Sequence, residues 1–347
     1  MKLTNFAVGL ACALLLAGGA GAQDKKVRWK MASAFPGTLD VVGEAGPRFS
    51  KLIDRISGGT MEIKFFEPGA LVPALQTHDP VATGSIDAAW TAAGYNVGKV
   101  PASPWFTSVP FGPSFSEFMA WLTYGGGDEI RDDLYARVGI KGLHCNAIVP
   151  EASGWFRKEI KSVAELKGLK MRFFGLGAKV MEKLGVSTQL LAAGDIYPAL
   201  ELGTIDATEI SFPSMDLRLG VHQVAKHYYF PGWHQLTTIL EFIANGEKWR
   251  ALSDQQKAMV EAACSDSIRW GIATSDSRQF KALNEIKAKG VTLHYWPKET
   301  LAAMKDAWDQ VVKEESAKDA DFKRTADSYN KFRTDYAIWR ELGYLKD

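Results

Sequence analysis

The stretch VRWKMASAFPGTLDVVGEAGPRFSKLIDRISGGTMEIKFF, residues 27–66, sets two strand patterns around one helix pattern. The opening run VRWKMA alternates, AFPG at 34–37 breaks it, and Val42, Phe49, Leu52, Ile53 and Ile56 recur at helical spacing over 41–56. Ser57-Gly58-Gly59 stops that helix, because glycine takes the left-handed conformation that ends one, and MEIKFF at 61–66 starts a second strand. The order strand, helix, strand implies a sheet covered by helices, the α/β class, rather than an all-helical or all-β fold.

Working outward, 75–83 reads as a helix and 86–90 as a short buried strand, while 101–114, rich in proline and aromatics, reads as a long packed loop. Helices over 115–124 and 128–138 flank Gly125-Gly126-Gly127, and the runs 140–148 and 153–157 read as strands crossing between two lobes. A second strand, helix, strand unit begins at Leu169: KGLKMRFFG, 167–175, turns at Gly168, forms a short buried strand and opens a helix near Ala178. Two further strands are expected in that lobe at 225–230 and 236–244. A helix from Ser253 to about 289 with one interruption, a strand at 291–295 and helices at 299–315 and 321–342 follow. Two lobes around a cleft is the simplest architecture. The expected boundaries are lobe I at 23–150 with part of the helical region at about 250–347, and lobe II at 151–249.

The 347 residues are 46% hydrophobic and 23% charged, enough core for one large or two medium domains. With 41 basic and 40 acidic residues the net charge is +1, which argues against nucleic acid or an anionic membrane as partner; any anion must be recognised locally. Lys2, the apolar run 6–16 and Ala20-Gly21-Ala22 read as a signal peptide over 1–22, cleaved near Ala22 for export to the periplasm. The apolar run is too short for a spanning helix. Cys145 and Cys264 would remain, either paired or as two separately buried thiols.

No nucleophile elbow, zinc-protease motif or phosphate loop occurs, so catalysis is the weaker reading, with Glu151 or Glu209 as base if it occurs at all. Of the six histidines only His222 and His227 stand at metal-ligand spacing, and no metal site is expected there. Gly175-x-Gly177 supports a tight turn, since Val180 stands where a dinucleotide fingerprint needs its third glycine. Arg172, by contrast, falls at the carboxyl end of a strand, where open α/β sheets expose their crevices, and its planar fork suits a carboxylate. Aromatic residues near turns and strand ends would wall such a crevice: Trp90, Tyr95, Phe212 and Trp233, with Phe35 in the AFPG break.

The leader, GWFRKEIKSVAELKGLKMRFFGLGAKVMEKLG (154–185), DIYPALELGTIDATE (195–209) and DYAIWRELGY (335–344) resemble the periplasmic solute-binding proteins of TRAP transporters, the DctP family, over essentially the whole mature chain. The resemblance implies a two-lobed periplasmic-binding-protein fold with crossing strands, a long helix and a helical tail. It implies that Arg172 binds the ligand carboxylate, and that the partners are a small organic acid and the membrane subunits of a transporter. GWF at 154–156 and YGGG at 124–127 place the chain nearest the branch that binds α-keto acids and lactate. It departs from that branch at Glu151, where relatives tend to carry glutamine, and at Thr238-Ile239, where they place Glu-Gln. Those positions contribute to a bound cation in the relatives, so a sodium or calcium bridge is not expected here. Glu151 either pairs with Arg172 or marks an amine-bearing or zwitterionic solute, held with help from Trp90 and Trp233. Tyr329, Phe332, Tyr336 and Trp339, at helical spacing, form either intramolecular core or a homodimer contact.

Overall fold

The computed structural model describes residues 26–345, so the expected signal peptide and its cleavage point lie outside the described residues. Two sheets organise the chain. The first runs β2 (Met61–Phe66), β1 (Val27–Ser33), β3 (Ala88–Thr91), β10 (Thr238–Asn245), β4 (Ile140–Ile148). The second runs β11 (Thr292–Tyr295), β9 (His227–Phe230), β5 (Gly154–Phe156), β8 (Ala207–Thr208), β6 (Lys170–Arg172), β7 (Ser187–Gln189). In the first sheet β1 pairs in parallel with β2 and β3, as the opening strand, helix, strand order requires, while β10 is antiparallel to β3 and β4. The strand expected at 236–244 in the second lobe therefore belongs to the first, and β11 belongs to the second. Alternation marks a strand; it does not say which sheet receives it.

Three segments cross between the lobes. Residues 149–153 lead from β4 to β5, residues 231–237 return from β9 to β10, and the helix Asp254–Ala288 runs back toward β11. The two short crossings are tied by Glu151 N–H donating to the Gln235 carbonyl at 3.1 Å. They lie so close that a Cβ on Gly232 would stand 2.0 Å from the Glu151 carbonyl oxygen, which is why glycine occupies that position. The long helix is uninterrupted, contrary to expectation. It starts in a capping box, Ser253 accepting from Gln256 N–H and Gln256 returning to Ser253 N–H.

Cys145 on β4 and Cys264 on this helix form a disulfide, with Cα atoms 4.0 Å apart, which decides between the paired and separate thiols. No helix among the described residues is long and apolar enough to cross a membrane. The last two helices, Lys298–Lys318 and Ala320–Leu342, return along the flank, where Tyr329 is buried against Trp105 and Trp121. Further along the same helix Ile338, Trp339 and Leu342 are exposed.

Candidate functional site

Arg172 ends β6, pairing in register with Gln189 of β7 and Thr208 of β8, so its side chain emerges at the carboxyl edge of the second sheet. Glu209 follows β8 directly, and its N–H donates to the Arg172 carbonyl at 3.0 Å. The guanidinium is buried. Its Nη1 donates to the Glu209 carbonyl at 2.6 Å and to Glu209 Oε2 at 2.7 Å, while Nε reaches the Leu191 carbonyl at 3.4 Å. Phe174 N–H also donates to Glu209 Oε2, at 3.1 Å. Burial would raise the Glu209 carboxyl, but the Arg172 charge holds it below its ordinary range. Arg172 thus pairs with Glu209, not with Glu151.

Glu151 sits on the first crossing, 4% exposed, with Oε1 accepting from Ser211 and Thr238 hydroxyls at 3.3 Å each. His234, on the second crossing, places Nε2 3.6 Å from Glu151 Oε2 and 3.5 Å from Glu209 Oε1. Burial pushes the Glu151 carboxyl up to about 8, with His234 opposing and the Glu209 charge adding. The His234 imidazole is raised to about 9: burial lowers it, and the two facing carboxylates outweigh that. Glu151 Oε2, Glu209 Oε1 and Gln235 Oε1 are buried without a hydrogen-bond partner. Unpartnered buried oxygens are costly and call for an explanation.

Between the lobes these groups close one end of a cavity of ≈ 50 Å³. Arg172, Glu151, Gln235 and Thr238 form the polar end, and Phe35, Leu39, Val42 and Ile196 are among the apolar walls. A single water needs about 10–15 Å³ of such space, so the cavity has room for a small organic molecule rather than one lone water. Tyr95 of the first lobe meets Phe174 of the second edge to face at 5.0 Å and lies 6.0 Å from Phe35, closing the cleft. Burial raises the Tyr95 phenol to about 12, against the Arg172 charge, so it stays a neutral hydroxyl.

Of the residues singled out from sequence, Arg172, Glu151, Tyr95 and Phe35 line the cavity, and Glu209 lies directly behind it. Trp90, Phe212 and Trp233 do not line it. β3 is buried on both faces, so Trp90 packs on Phe49 in the first lobe and donates to the Val42 carbonyl at 2.9 Å. Phe212 is fully buried in core, and Trp233 stacks on Phe111 of the long loop. Sequence reading missed His234 and Gln235, whose meaning depends on the 231–237 crossing meeting 149–153 in space. Leu39, Val42 and Ile196 carry no signal beyond being apolar.

The model of family 7 of the bacterial extracellular solute-binding proteins, DctP, matches residues 32–319. The monocarboxylate 2-oxoacid-binding periplasmic protein of Nostoc sp. is 34% identical over 92% of this chain and 87% of its own length. A TRAP transporter solute-binding protein of Bordetella bronchiseptica, described as a mixed-occupancy dimer with calcium and picolinate in one site, superposes with a TM-score of 0.89 at 36% identity, covering 92% and 95% of the two chains. The periplasmic solute-binding protein of Pseudoalteromonas atlantica, with sodium and pyruvate bound, gives 0.86 at 31%, covering 91% and 96%. With the two-sheet fold and the interlobe cleft, these matches establish that the chain belongs to the DctP family and is a periplasmic solute receptor of a TRAP transporter, taking up a small organic acid for the membrane subunits.

Proposed function

We propose that the cleft binds a small monocarboxylate of the 2-oxo acid class, held by Arg172, and hands it on chemically unchanged. The carrying observation is the buried guanidinium at the polar end of a ≈ 50 Å³ cavity with apolar walls, a setting that suits a small organic acid. The named ligands of the relatives support this class: pyruvate and picolinate each carry a second donor atom next to the carboxylate.

That shared chemistry suits a chelated cation, and the donor set here fits one. Glu151, Glu209 and Gln235 present unpartnered buried oxygens, the ligand type that hard cations prefer, and Glu151, Glu209 and His234 each offer a donor within 4.8 Å of the others. The expectation drawn from Glu151 and Thr238-Ile239 argued against a bridging sodium or calcium; the unpartnered oxygens support one. Glu151, Glu209 and Gln235 would hold the cation, which would supply positive charge to the ligand's oxygens; the chain's own part is to orient the carboxylate through Arg172 and exclude water with Tyr95, Phe35 and Phe174.

An amine-bearing solute is less well supported. The aromatic faces expected to hold an ammonium group, Trp90 and Trp233, pack away from the cavity. We further propose cleavage near Ala22, checked by N-terminal sequencing of the periplasmic protein, and a homodimer contact using the exposed Ile338, Trp339 and Leu342. A thermal-shift panel of 2-oxo, 2-hydroxy, amino and aromatic acids, each with calcium, sodium or a chelator, tests the ligand. Pyruvate with a cation should raise the melting temperature most and be recovered intact. No shift with any 2-oxo acid, or consumption of pyruvate, would overturn the reading; equal shifts with chelator would remove the cation from it.

A further inference from the structure

Away from the ligand, a second set of contacts joins the lobes. The loop after β1 places Leu39 and Val42 in the cavity wall, while Asp40 and Glu44 point the other way. Asp40 is fully buried and takes a hydrogen bond from the Ser214 hydroxyl, a salt bridge from Arg218 Nη2 at 3.1 Å and a third contact from Arg278. Glu44 accepts from Arg218 Nη1 at 2.8 Å and from Arg278 Nη1 at 2.9 Å.

Ser214 and Arg218 stand on the helix Pro213–Leu219, whose Asp216 accepts from Trp155 of β5 and Tyr228 of β9, so that helix moves with the second sheet. Arg278 lies on the far part of the long helix, where Gln279 is bonded to Ser214. The loop itself is tied to the first sheet through the Ala34 N–H on the Trp90 carbonyl and the Trp90 indole on the Val42 carbonyl. Val41, buried between them, has φ +56°, a conformation costly for a β-branched residue and tolerated only where its surroundings hold it.

We propose that Asp40 and Glu44, with Arg218, Arg278 and Ser214, form a closure latch: a charged clasp made only when the lobes meet, which sets how long the ligand stays without touching it. The idea rests on the two-lobed capture reading above. Because Leu39 and Val42 share the loop with Asp40 and Glu44, filling the cavity and fastening the latch bias the same closed state. A clasp specific to that state slows opening, so its loss falls mainly on the rate of release. Arg218 is 49% exposed on its side chain, so part of the effect is screened by salt.

The test uses the full mature protein and Arg218→Ala, alone and with Arg278→Ala. Stopped-flow fluorescence with pyruvate and calcium should show release faster by about three- to tenfold in Arg218→Ala, with the association rate changed less than about twofold. The excess should shrink between about 50 and 500 mM salt, and Arg218→Lys should restore part of the residence time. Spin labels on exposed Lys64→Cys and Lys170→Cys, one per lobe, report lobe separation without ligand. The double variant should lose closed population there. Unchanged release, or distance distributions identical to the parent's, would overturn the latch whatever the protein binds. Failure of the parent to bind pyruvate would count against the ligand class alone, with the label distances still deciding the latch.

Discussion

Replacing Arg172 by lysine keeps a positive charge and removes the fork. In the structure Nη1 is committed to Glu209, with bonds of 2.6 and 2.7 Å, and Nε to the Leu191 carbonyl, leaving Nη2 for a ligand carboxylate. A lysine ammonium would have to serve Glu209 and the ligand from a single point. Losing one charge-assisted hydrogen bond costs about 1.5–3 kcal/mol, roughly a 10- to 150-fold rise in Kd. Isothermal titration with pyruvate and calcium measures it. The ligand-free melting temperature is the control, and should move little, since lysine still neutralises the fully buried Glu209. An affinity within about threefold of the parent's, with the fold intact, would refute the proposed role of Arg172 and the magnitude drawn from its geometry.

A Cβ on Gly94 would stand 2.5 Å from Phe174 Cζ across the cleft, so Gly94→Ala should weaken pyruvate binding about tenfold while sparing ligand-free stability; unaltered affinity would mean the lobes close along another line. Burial lifts the Asp216 carboxyl to about 7 although Trp155 and Tyr228 donate to it. The folded state thus keeps a proton that the unfolded chain loses near 3.9, and stability from this group falls as pH rises from about 4 to 7, then levels. Asp216→Asn, neutral throughout, should flatten the pH dependence of the urea midpoint over that window, by up to about 4 kcal/mol; an unchanged slope would refute the assignment. Replacing Cys145 and Cys264 by serine opens a link across 119 residues and should cost about 3–5 kcal/mol in urea unfolding, against which equal stability would tell.

Much of this could be read in the chain before its coordinates. The alternation of 27–32 and 61–66 and the helical spacing between them are local properties, and they recur as β1, β2 and the helix Ala45–Ile56. Arg172 was legible because a short strand closed by Phe173-Phe174-Gly175 has one end, and the residue at that end is a cation. Sheet membership was not. β10 is an apolar run that would suit either lobe, and only its antiparallel pairing with β3 and β4 places it. Aromatic content misled for a related reason: Trp90 and Phe35 lie near the ends of neighbouring strands, but β3 is buried on both faces while the loop after β1 lines the cavity. His234 gained its meaning from Glu151 and Glu209, residues far away in sequence that only the crossings bring together.

The Cys145–Cys264 link, which fastens the long helix to β4, also makes the receptor's robustness depend on where it is. Thiols stay reduced in the cytosol and oxidise in the periplasm. A newly made chain awaiting export therefore lacks the cross-link and remains easier to unravel, the state in which a polypeptide is threaded across a membrane. Once outside, oxidation fixes the helix to the first lobe. The same bond thus acts as a one-way seal, applied after passage, on a protein whose work begins on the far side.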